Sequence, residues 1–402
     1  MEREVMTDIL NSNEAKTLRL YFFEHGWEER SCNHCDSQFL TKPRNETATC
    51  GHSDCSQLEF LDRPKRRRFL TAIDLASQFN DFFSNIGYEK VNSVGVINKT
   101  GSTLFTGTAG QIFDNIIFNE EKIDIRPKFV AQPVIRLQGR SFVGKKEGFS
   151  TSFVNIALEQ LNPTIEEHIG HIDNWINFMS KIGLFMGEVT IGLVKDSPDW
   201  GDINLDAITA KVYYGGLEIG VINWFVRIPQ KSRSPLFMSD ISFGLERMVW
   251  VANKSRSYFD IIGPLNYSLN DEHKLMDSYR TAALMTLSGV KPGYKDRGSK
   301  LRALIKDVTD TEERIDEKLI TYYIKWWKNF AEFPASDAET VKTVVDEANR
   351  NTNIVIQNKL GAPESISLNL DPSEYVDKII DSGMSFERIR EFLSETKRGN
   401  KS

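Results

Sequence analysis

The 402-residue sequence lacks several features that would each place it in a distinct class of protein. No apolar run approaches the roughly 18 residues of a membrane span, so no transmembrane helix is expected. The first residues are acidic and polar, so no secretory signal is visible and a cytoplasmic location is the default expectation. The net charge is −6, which argues against a protein that coats nucleic acid through excess positive charge. Hydrophobic residues make up 40% and charged residues 26%, proportions typical of a soluble globular protein.

Cysteine is scarce, and all four cysteines lie within one short segment. The spacing C-x2-C-x14-C-x4-C forms two short knuckles that carry Cys32, Cys35, Cys50 and Cys55. Four thiolates at this spacing can close a tetrahedral structural zinc site, which leaves no open position for catalysis. His34 or His52 could replace a cysteine, but four thiols suffice. Two ordinary pairs of reduced thiols are the alternative, whereas disulfides fit a cytosolic chain poorly.

Positive charge is concentrated in two stretches, residues 63–68 and 291–306. Either stretch could form a local basic surface for nucleic acid. For the first stretch, a solvated face or a linker is an equal alternative.

Hydrophobic periodicity predicts helices at residues 13–27, 72–86 and 165–182. The second should bury one side that includes Ile73, Leu75, Ala76, Phe79, Phe82 and Phe83. A Thr-x-x-Glu capping box begins the third, which should bury Ile165, Ile169, Ile172, Ile176 and Met179. Strands are predicted at residues 91–105, 128–137, 150–158, 187–195, 208–214 and 217–228. Pro127 and Pro133 make the second of these an edge or interrupted strand.

Many strands with few intervening helices indicate an antiparallel α+β fold. From about residue 269 the pattern turns helical, with an expected core of Trp326, Trp327, Phe330 and Phe333. The length permits two or three domains. The predicted domains are an N-terminal element with the zinc site (1–68), an α+β catalytic domain (69–264) and a helical domain (265–402).

The segment MSDISFGLERM, residues 238–248, carries the most chemical information. An acidic residue ends an extended segment, a glycine turn follows, and an amphipathic run then begins with Leu-Glu-Arg. This order puts Asp240 and Arg247 near one cleft, where the carboxylate can hold an ammonium and the guanidinium a phosphate. Arg136, at the end of another strand, is a second phosphate candidate, although a lone arginine there is usually a surface residue.

The string D-x-x-x-G-L-E-R resembles motif 3 of class II aminoacyl-tRNA synthetases. Ordered matches along nearly the whole chain are similar to alanyl-tRNA synthetase of the archaeal type. They include C-x-x-C…C-G…C at the cysteines, Leu-Phe-Thr at 104–106, Q-P-V-I-R at 132–136, Val-Gly at 143–144, a glycine-bounded segment at 289–298 and Asp-Ser-Gly at 381–383. The resemblance implies a class II antiparallel sheet flanked by helices. It also implies a ligase that forms an aminoacyl-adenylate with ATP and Mg²⁺, and a helical domain that recognises tRNA.

The resemblance also implies roles for individual residues. Arg136 and Arg247 would be the catalytic residues that hold the ATP phosphates, and Phe153 would stack on the adenine. Glu218 is a candidate magnesium ligand, with support of a buried strand end as the alternative. Asp240 would bind the ammonium group of the amino acid.

The substrate pocket departs from the family pattern. Trp200 matches a tryptophan beside the amino-acid site, with a core role as the alternative, but residues 200–212 lack the family's glycines and carry Lys211 in place of a glutamate. Asn223 stands where a small apolar wall is expected, and Ser242 replaces a glycine. Asn223 and Ser242 are therefore predicted to line the substrate site and to select an amino acid larger or more polar than alanine.

The motif 2 loop lacks a family arginine that binds ATP or the tRNA end, and Lys145 or Lys146 could substitute. The chain is also expected to lack the editing and C-terminal oligomerisation domains, and a monomer is favoured. Three functions follow. The first is amino-acid activation with transfer to tRNA, the second is activation with transfer to a carrier protein, peptide or small amine, and the third is tRNA binding without catalysis. Retention of the nucleotide-binding residues argues against the third.

Overall fold

The computed structural model describes residues 9–64, 69–264, 273–311, 315–385 and 387–389. The chain divides into two compact units. The first comprises Met1–Ser268 with Asn329–Glu332, and the second comprises Leu269–Lys328 with Phe333–Ser402. The three predicted domain boundaries stay predictions.

The first unit contains eleven strands within the described residues: β1 (Glu28–Ser31), β2 (Gln38–Thr41), β3 (Glu89–Lys90), β4 (Lys128–Ile135), β5 (Ser152–Leu161), β6 (Val189–Asp196), β7 (Asp199–Trp200), β8 (Ile203–Asn204), β9 (Asp206–Tyr214), β10 (Leu217–Ile228) and β11 (Leu236–Gly244). Its helices are α1 (Asn13–Glu24), α2 (Ala72–Asn85), α3 (Asp114–Phe118), α4 (Ile165–Lys181), α5 (Leu245–Asn253) and α6 (Phe259–Ile262). Short 3₁₀ turns lie at Ile9–Asn11, Glu59–Asp62, Ala109–Phe113, Leu137–Phe142 and Met186–Glu188.

Nine of the described strands form one sheet in the order β1-β2-β6-β9-β10-β11-β5-β4-β3, and β7 pairs with β8 separately. Neighbours in the large sheet are antiparallel except for the short parallel contact of β3 with β4. The α+β fold with an antiparallel sheet flanked by helices is therefore confirmed. The strand β4 is continuous, and Pro133 lies beyond the two residues that β3 covers, which fits the prediction of an edge strand and not that of an interrupted one.

The predicted strand at residues 91–105 is wrong. After an isolated bridge between Val94 and Glu332, this segment forms a loop. The carboxylate of Asp114 accepts hydrogen bonds from the side chains of Asn98, Thr100 and Ser102 at 2.7 to 2.8 Å. Polar side chains that bind a buried carboxylate compete with strand pairing, so the β-prone residues between them do not form a ladder.

Helices α2 and α4 cover one face of the sheet. Capping boxes begin both helices, at Thr71 with Asp74 and at Thr164 with Glu167. Their aromatic side chains form a cluster with ring centroids 5.0 to 6.1 Å apart, comprising Phe79, Phe83, Phe129, Trp175 and Phe178. Burying each such ring contributes about 2–3 kcal/mol. This face is therefore filled, and the opposite face of the sheet remains for a site.

The buried side of α4 differs from the predicted one. It carries His168, His171, Ile172, Trp175, Phe178 and Met179, whereas Ile165, Ile169 and Ile176 are only half-buried. His168 bonds Ser239 on β11 and His171 bonds Gln160 on β5, so the sheet supplies partners for both rings. The spacing of the isoleucines alone could not show which side of the helix faces the sheet. On α2, the prediction of a buried Ile73 is also wrong, since that side chain is 45% exposed.

The second unit is helical within the described residues, as predicted. Its helices are α7 (His273–Leu287), α8 (Asp296–Thr311), α9 (Glu317–Trp327), α10 (Asp337–Leu360) and α11 (Pro372–Asp381). Trp326 and Trp327 are buried there, Phe333 is half-buried, and the buried Phe330 belongs to the first unit. No helix among the described residues combines the length and apolar character that crossing a bilayer requires.

Candidate active site

A row of polar side chains crosses the face of the sheet that lies opposite helices α2 and α4. Strand register pairs Thr209 on β9 with Asn223 on β10, Asn223 with Asp240 on β11, and Asp240 with Glu159 on β5. Directly paired residues of antiparallel strands project to the same face. The row therefore lies opposite the helix-covered face.

Hydrogen bonds fix the predicted ammonium-binding residue within this row. The hydroxyl of Thr209 donates to Asn223 Oδ1 over 2.7 Å, and Asn223 Nδ2 donates to Asp240 Oδ2 over 2.9 Å. Asn223 thus holds Asp240 in the structure. That Asn223 also selects the substrate remains a prediction. Both the oxygen and the nitrogen of its side-chain amide are already hydrogen-bonded, to Thr209 and to Asp240.

Asp240 is only 5% exposed. Burial raises the pKa of this carboxyl group, while hydrogen bonds from Asn223 and Ser242 and the charge of Arg136 act in the opposite direction. The structure thus places Ser242 beside Asp240, where it stabilises the ionised carboxylate. An ionised, enclosed carboxylate is suited to bind an ammonium group.

Glu159 is a buried acid that the sequence analysis did not identify. It lies opposite Asp240 and is 1% exposed. Burial and the neighbouring Asp240 raise its pKa well above the ordinary value. The available signal was a glutamate directly after the apolar residues 156–158, since charged residues are almost never fully buried without a partner.

Arg136 follows the end of β4 and lies near Asp240, Glu218 and Arg247. Its Nε donates to the Gly107 carbonyl oxygen over 2.7 Å, and its guanidinium carbon lies 5.1 Å from the ring centroid of Phe153. The side chain is exposed to the cleft, yet protein surrounds it at longer range. This partial desolvation and the charge of Arg247 lower the pKa of Arg136, while Asp240 and Glu218 raise it. Arginine still remains protonated at neutral pH.

Arg247 lies in the first turn of α5 and is held by backbone. Its Nε donates to the Gly148 carbonyl oxygen over 3.1 Å, and its Nη1 donates to the Glu218 carbonyl oxygen over 2.7 Å. The guanidinium carbon lies 5.7 Å from the ring centroid of Phe149. Two donors are thus used for positioning, which leaves the other N–H groups of the fork for a ligand.

Glu246, the motif 3 neighbour of Arg247, has a positioning role that the sequence did not predict. It is fully buried, and its carboxylate accepts the Val154 N–H at 3.0 and 3.1 Å. Val154 follows Phe153 directly. The glutamate thereby fixes the strand that presents the aromatic ring predicted to stack on adenine.

Trp200 is buried and its predicted core role is present in the structure. Its indole N–H donates to Asp114 Oδ1 over 2.7 Å, and the ring packs with Phe113 and Met238. A Cβ built on Gly110 would lie 3.4 Å from the Trp200 ring and 3.6 Å from Glu159 Oε1. The indole therefore stands beside the acidic pair as well as in the core.

Glu218 lies at the start of β10, where its carboxylate interacts with Tyr213 and Arg136. The structure therefore brings Arg136, Phe153, Glu218 and Asp240 together on one face of the sheet, and the backbone of Glu218 joins Arg247 to them. The proposed replacements for the missing loop arginine, Lys145 and Lys146, are exposed, and Lys146 Nζ lies 5.2 Å from the Phe142 ring centroid.

The four cysteines converge, as their spacing predicts. Their sulfur atoms all lie within 4.8 Å of one another, and those of Cys35 and Cys50 are 3.9 Å apart. Zinc–sulfur bonds of about 2.3 Å in a tetrahedron place sulfur atoms about 3.8 Å apart, so the cluster is compatible with zinc. His34 and His52 are exposed and stand outside the sulfur cluster.

The cysteine element is anchored to the sheet. Thr190 on β6 donates to the Cys50 carbonyl oxygen over 2.8 Å. The segment that follows the last cysteine packs on the turn between β9 and β10, where Phe60 N–H donates to the Gly215 carbonyl oxygen over 3.2 Å. Phe60 also meets Trp250 of α5, with ring centroids 5.0 Å apart. A metal at the cysteines would thus brace the elements that carry Glu218 and Arg247.

The second predicted basic stretch carries an exposed aromatic residue. Tyr294 is 79% exposed, its ring centroid lies 4.4 Å from the Arg302 guanidinium carbon, and its hydroxyl accepts from Arg350 Nη2 over 2.8 Å. An exposed ring beside guanidinium groups is suited to nucleic-acid contact. Residues 65–68 of the first basic stretch lie outside the described residues.

No family model matches the chain. It is 23% identical over 296 residues to an alanine–tRNA ligase of Methanococcoides burtonii, covering 67% of this chain and 32% of that protein. It is 26% identical over 325 residues to an alanine–tRNA ligase of Methanoregula boonei, covering 74% and 35%. The chain thus spans about a third of the length of the curated relatives it matches.

Among solved structures, a pyrrolysyl-tRNA synthetase of Desulfitobacterium hafniense matches 50% of this chain and 74% of its own, with 14% identity and a TM-score of 0.35. Agreement at that level supports no inference about the site. The observed fold is the antiparallel sheet with flanking helices that the sequence motifs predict. The chain is therefore similar in sequence to archaeal alanine–tRNA ligases over 67% to 74% of its length.

Proposed function

We propose that this protein activates an amino acid with ATP to form an aminoacyl-adenylate and transfers the acyl group to tRNA. The observation that carries the proposal is the convergence of one buried carboxylate, Asp240, with the guanidinium groups of Arg136 and Arg247 at one cleft. The electrostatic influence of Arg247, Asp240 and Glu218 on the Arg136 guanidinium supports this convergence.

Asp240 binds the substrate ammonium in this proposal. Its Oδ2 is held by Asn223, whereas its Oδ1 has no hydrogen-bond partner among the described residues. A buried oxygen without a donor is unfavourable in the empty protein. A bound ammonium would supply the missing donor and would place the substrate carboxylate for attack on the α-phosphate of ATP.

Arg136 and Arg247 counter the charge of the reacting anions. The attacking carboxylate and the phosphate are both negative, so the reaction requires neutralisation and alignment. Each guanidinium is already oriented by a backbone carbonyl oxygen, which reduces the reorganisation needed when ATP binds. Phe153 offers a ring for adenine, and Glu218 is the proposed ligand for Mg²⁺. The four-cysteine site would hold structural zinc and supply no reacting group.

The exposed tyrosine of the helical unit and the half-buried arginines beside it support tRNA as the acceptor. Tyr294 and Arg350 offer stacking and charge to a nucleic acid. Because the chain spans only about a third of the length of its relatives, tRNA as the acceptor is proposed from the residues of this chain and is not taken over from the relatives.

A non-tRNA acceptor is the second candidate. The related family has a loop arginine that binds ATP or the tRNA end where this chain has Gly148, and the next residue, Phe149, lies against Arg247. An apolar ring at this position changes the surface offered to the acceptor. A carrier protein, a peptide or a small amine would then receive the acyl group.

The deciding experiment is amino-acid-dependent exchange of pyrophosphate into ATP, measured for each amino acid with and without total tRNA. The proposal expects exchange with at least one amino acid and charging of RNA through an ester that mild base hydrolyses. Exchange without RNA charging would favour the non-tRNA acceptor. Absence of exchange with every amino acid, together with retention of tRNA, would contradict the proposed reaction.

Two arginine variants test the assigned roles. Arg136→Ala and Arg247→Ala should each lower exchange by about 100-fold or more, since each removes a group that binds the developing charge. Arg126→Ala is the matched control. Its guanidinium is exposed and pairs with Asp124 and Glu89, so exchange should be unchanged. Activity like that of the wild type in either cleft variant would contradict the assignment.

A further inference from the structure

The acidic pair Asp240 and Glu159 is not accounted for by the proposed mechanism, which uses Asp240 alone. The two residues are directly paired across β11 and β5, so their carboxyl groups project to the same face of the sheet as neighbours. Both are nearly inaccessible, with exposures of 5% and 1%. Two carboxylates in contact repel each other strongly when enclosed.

The oxygen atoms of this pair lack donors. Among the described residues, neither Glu159 oxygen has a hydrogen-bond partner, and Asp240 Oδ1 has none either. Lys128, the register partner of Glu159 on β4, directs its ammonium to Glu89 and Asp124 instead. Leaving buried acceptors unpaired costs about 1–3 kcal/mol each. One proton shared by the two carboxyl groups removes both the repulsion and part of this cost.

The surroundings decide which residue carries the proton. Asp240 receives hydrogen bonds from Asn223 and Ser242 and lies in the field of Arg136, all of which favour its ionised form. Glu159 has no such support, and burial together with Asp240 raises its pKa well above the ordinary range. Around Gly110, the side chains of Met238 and Trp200 lie near Glu159 Oε1.

We propose that Glu159, in its neutral acid form, is a positioning residue that donates a hydrogen bond to the ionised Asp240 and so sets the charge of the amino-acid pocket at minus one. The inference rests on the proposed function, because it assigns Asp240 to the substrate ammonium. A pocket with one negative charge matches the single positive charge of an α-ammonium group. The remaining Glu159 oxygen offers that group a second acceptor.

The substrate class follows from this charge match. The pocket suits a primary α-ammonium on an amino acid whose side chain is uncharged. A second ammonium beside the enclosed pair would have no ionised carboxylate to neutralise it, and its burial would be unfavourable. Lysine-like or ornithine-like amino acids should therefore be poor substrates.

Three variants separate the neutral-acid role from its alternatives. Glu159→Gln keeps a neutral donor of similar shape, and Glu159→Met keeps the length but removes the donor. Gln160→Met is the matched control, because Gln160 is equally buried on the same strand and bonds His171 on the opposite face. The probe is the uncharged amino acid that gives the fastest exchange in the full panel.

The expected result is a split between the variants. Glu159→Gln should keep the KM for the amino acid within about threefold of the wild type. Glu159→Met should raise it by about tenfold or more, with the KM for ATP unchanged, because Asp240 loses a hydrogen bond. Gln160→Met should change stability and leave both KM values unchanged. Equal increases in the Gln and Met variants would show that the charge of Glu159 is needed and would overturn the proposal, as would an unchanged KM in the Met variant.

A second readout does not depend on activity. Infrared difference spectra at neutral pH between the wild type and Glu159→Gln should show the carbonyl band of a neutral carboxylic acid, present only in the wild type. Isotope labelling of glutamate should shift this band. Absence of the band would refute the protonated Glu159 even if amino-acid activation is confirmed. Its presence would stand even if no amino acid supports exchange, in which case only the proposed function would fail.

Discussion

Arg247 is the residue at which the structure separates a binding role from a stabilising one most clearly. The guanidinium donates to two backbone carbonyl oxygens, those of Gly148 and Glu218, and lies against the Phe149 ring. Substitution by alanine removes these contacts together with any contact to phosphate. Substitution by lysine retains a positive charge but loses the planar fork that makes both backbone bonds.

The stability effect can be worked out from the contacts. Hydrogen bonds that involve a charged group contribute about 1.5–3 kcal/mol when buried, and Arg247 is half-buried, so about 2 kcal/mol in total is expected. For a unit of this size, that loss lowers the melting temperature by roughly 4–8 °C. Loss of a group that stabilises transition-state charge slows the reaction by about 10²–10³-fold.

The assay combines pyrophosphate exchange well below the melting temperature with thermal unfolding of the same samples. Arg247→Ala should show both effects, and Arg247→Lys should show a similar loss of stability with a smaller loss of rate. Arg126→Ala serves again as the control on the surface. If Arg247→Ala melts several degrees lower yet exchanges pyrophosphate within about threefold of the wild type, Arg247 is a structural residue and the phosphate role is wrong.

Three further results are expected. Cys50→Ser should abolish zinc retention measured by mass spectrometry and lower the free energy of unfolding by about 3 kcal/mol or more. His52→Ala should retain the metal. Equal zinc content in the two variants would contradict a four-thiolate site. Gly216→Ala should lower the free energy of unfolding by about 3 kcal/mol or more, because φ is +87° and the new Cβ would lie 1.8 Å from a backbone oxygen. Gly87→Ala is the control: its φ is +90° but the new Cβ would lie in open space, so denaturant titrations should show a loss of only about 1 kcal/mol. Burial lowers the pKa of His168 from its ordinary 6.5 to about 3. Between these two pH values, the His168 ring therefore binds a proton in the unfolded chain but not in the folded protein. Stability should therefore fall as pH decreases below 6.5, by about 1.4 kcal/mol per pH unit from this residue, and His168→Gln should flatten the slope; an unchanged slope would contradict the buried neutral ring.

Local signals predicted local structure well. The capping box at Thr164 located the start of α4, and the alternation of residues 217–228 gave β10 with the observed bounds. Local signals failed where tertiary partners decided the outcome. The loop at 91–105 binds Asp114, and the buried side of α4 is selected by polar partners on two strands of the sheet. Neither partner is near in sequence.

The candidate site shows the same division. Short motifs identified Arg136, Asp240 and Arg247, because a phosphate-binding fork and an ammonium-binding carboxylate require particular residue types in a particular order. No motif contained Glu159, and Glu246 lies within the D-x-x-x-G-L-E-R string but received no predicted role. Both are explained by contacts made between strands or between a helix and a strand, which appear only when the chain has folded.

The sequence alone determined which chemical groups are available: four thiols at zinc-binding spacing, two arginines and an aspartate in the order of a nucleotide-binding motif, and helices bounded by their own caps. The tertiary structure decided which of these groups meet. Strand register brings Asp240 beside Glu159 from 81 positions away in the chain and beside Asn223 on the other strand. Register is set by the packing of a whole sheet against its helices, and no local pattern specifies it, so the charge of the pocket is a property of the fold.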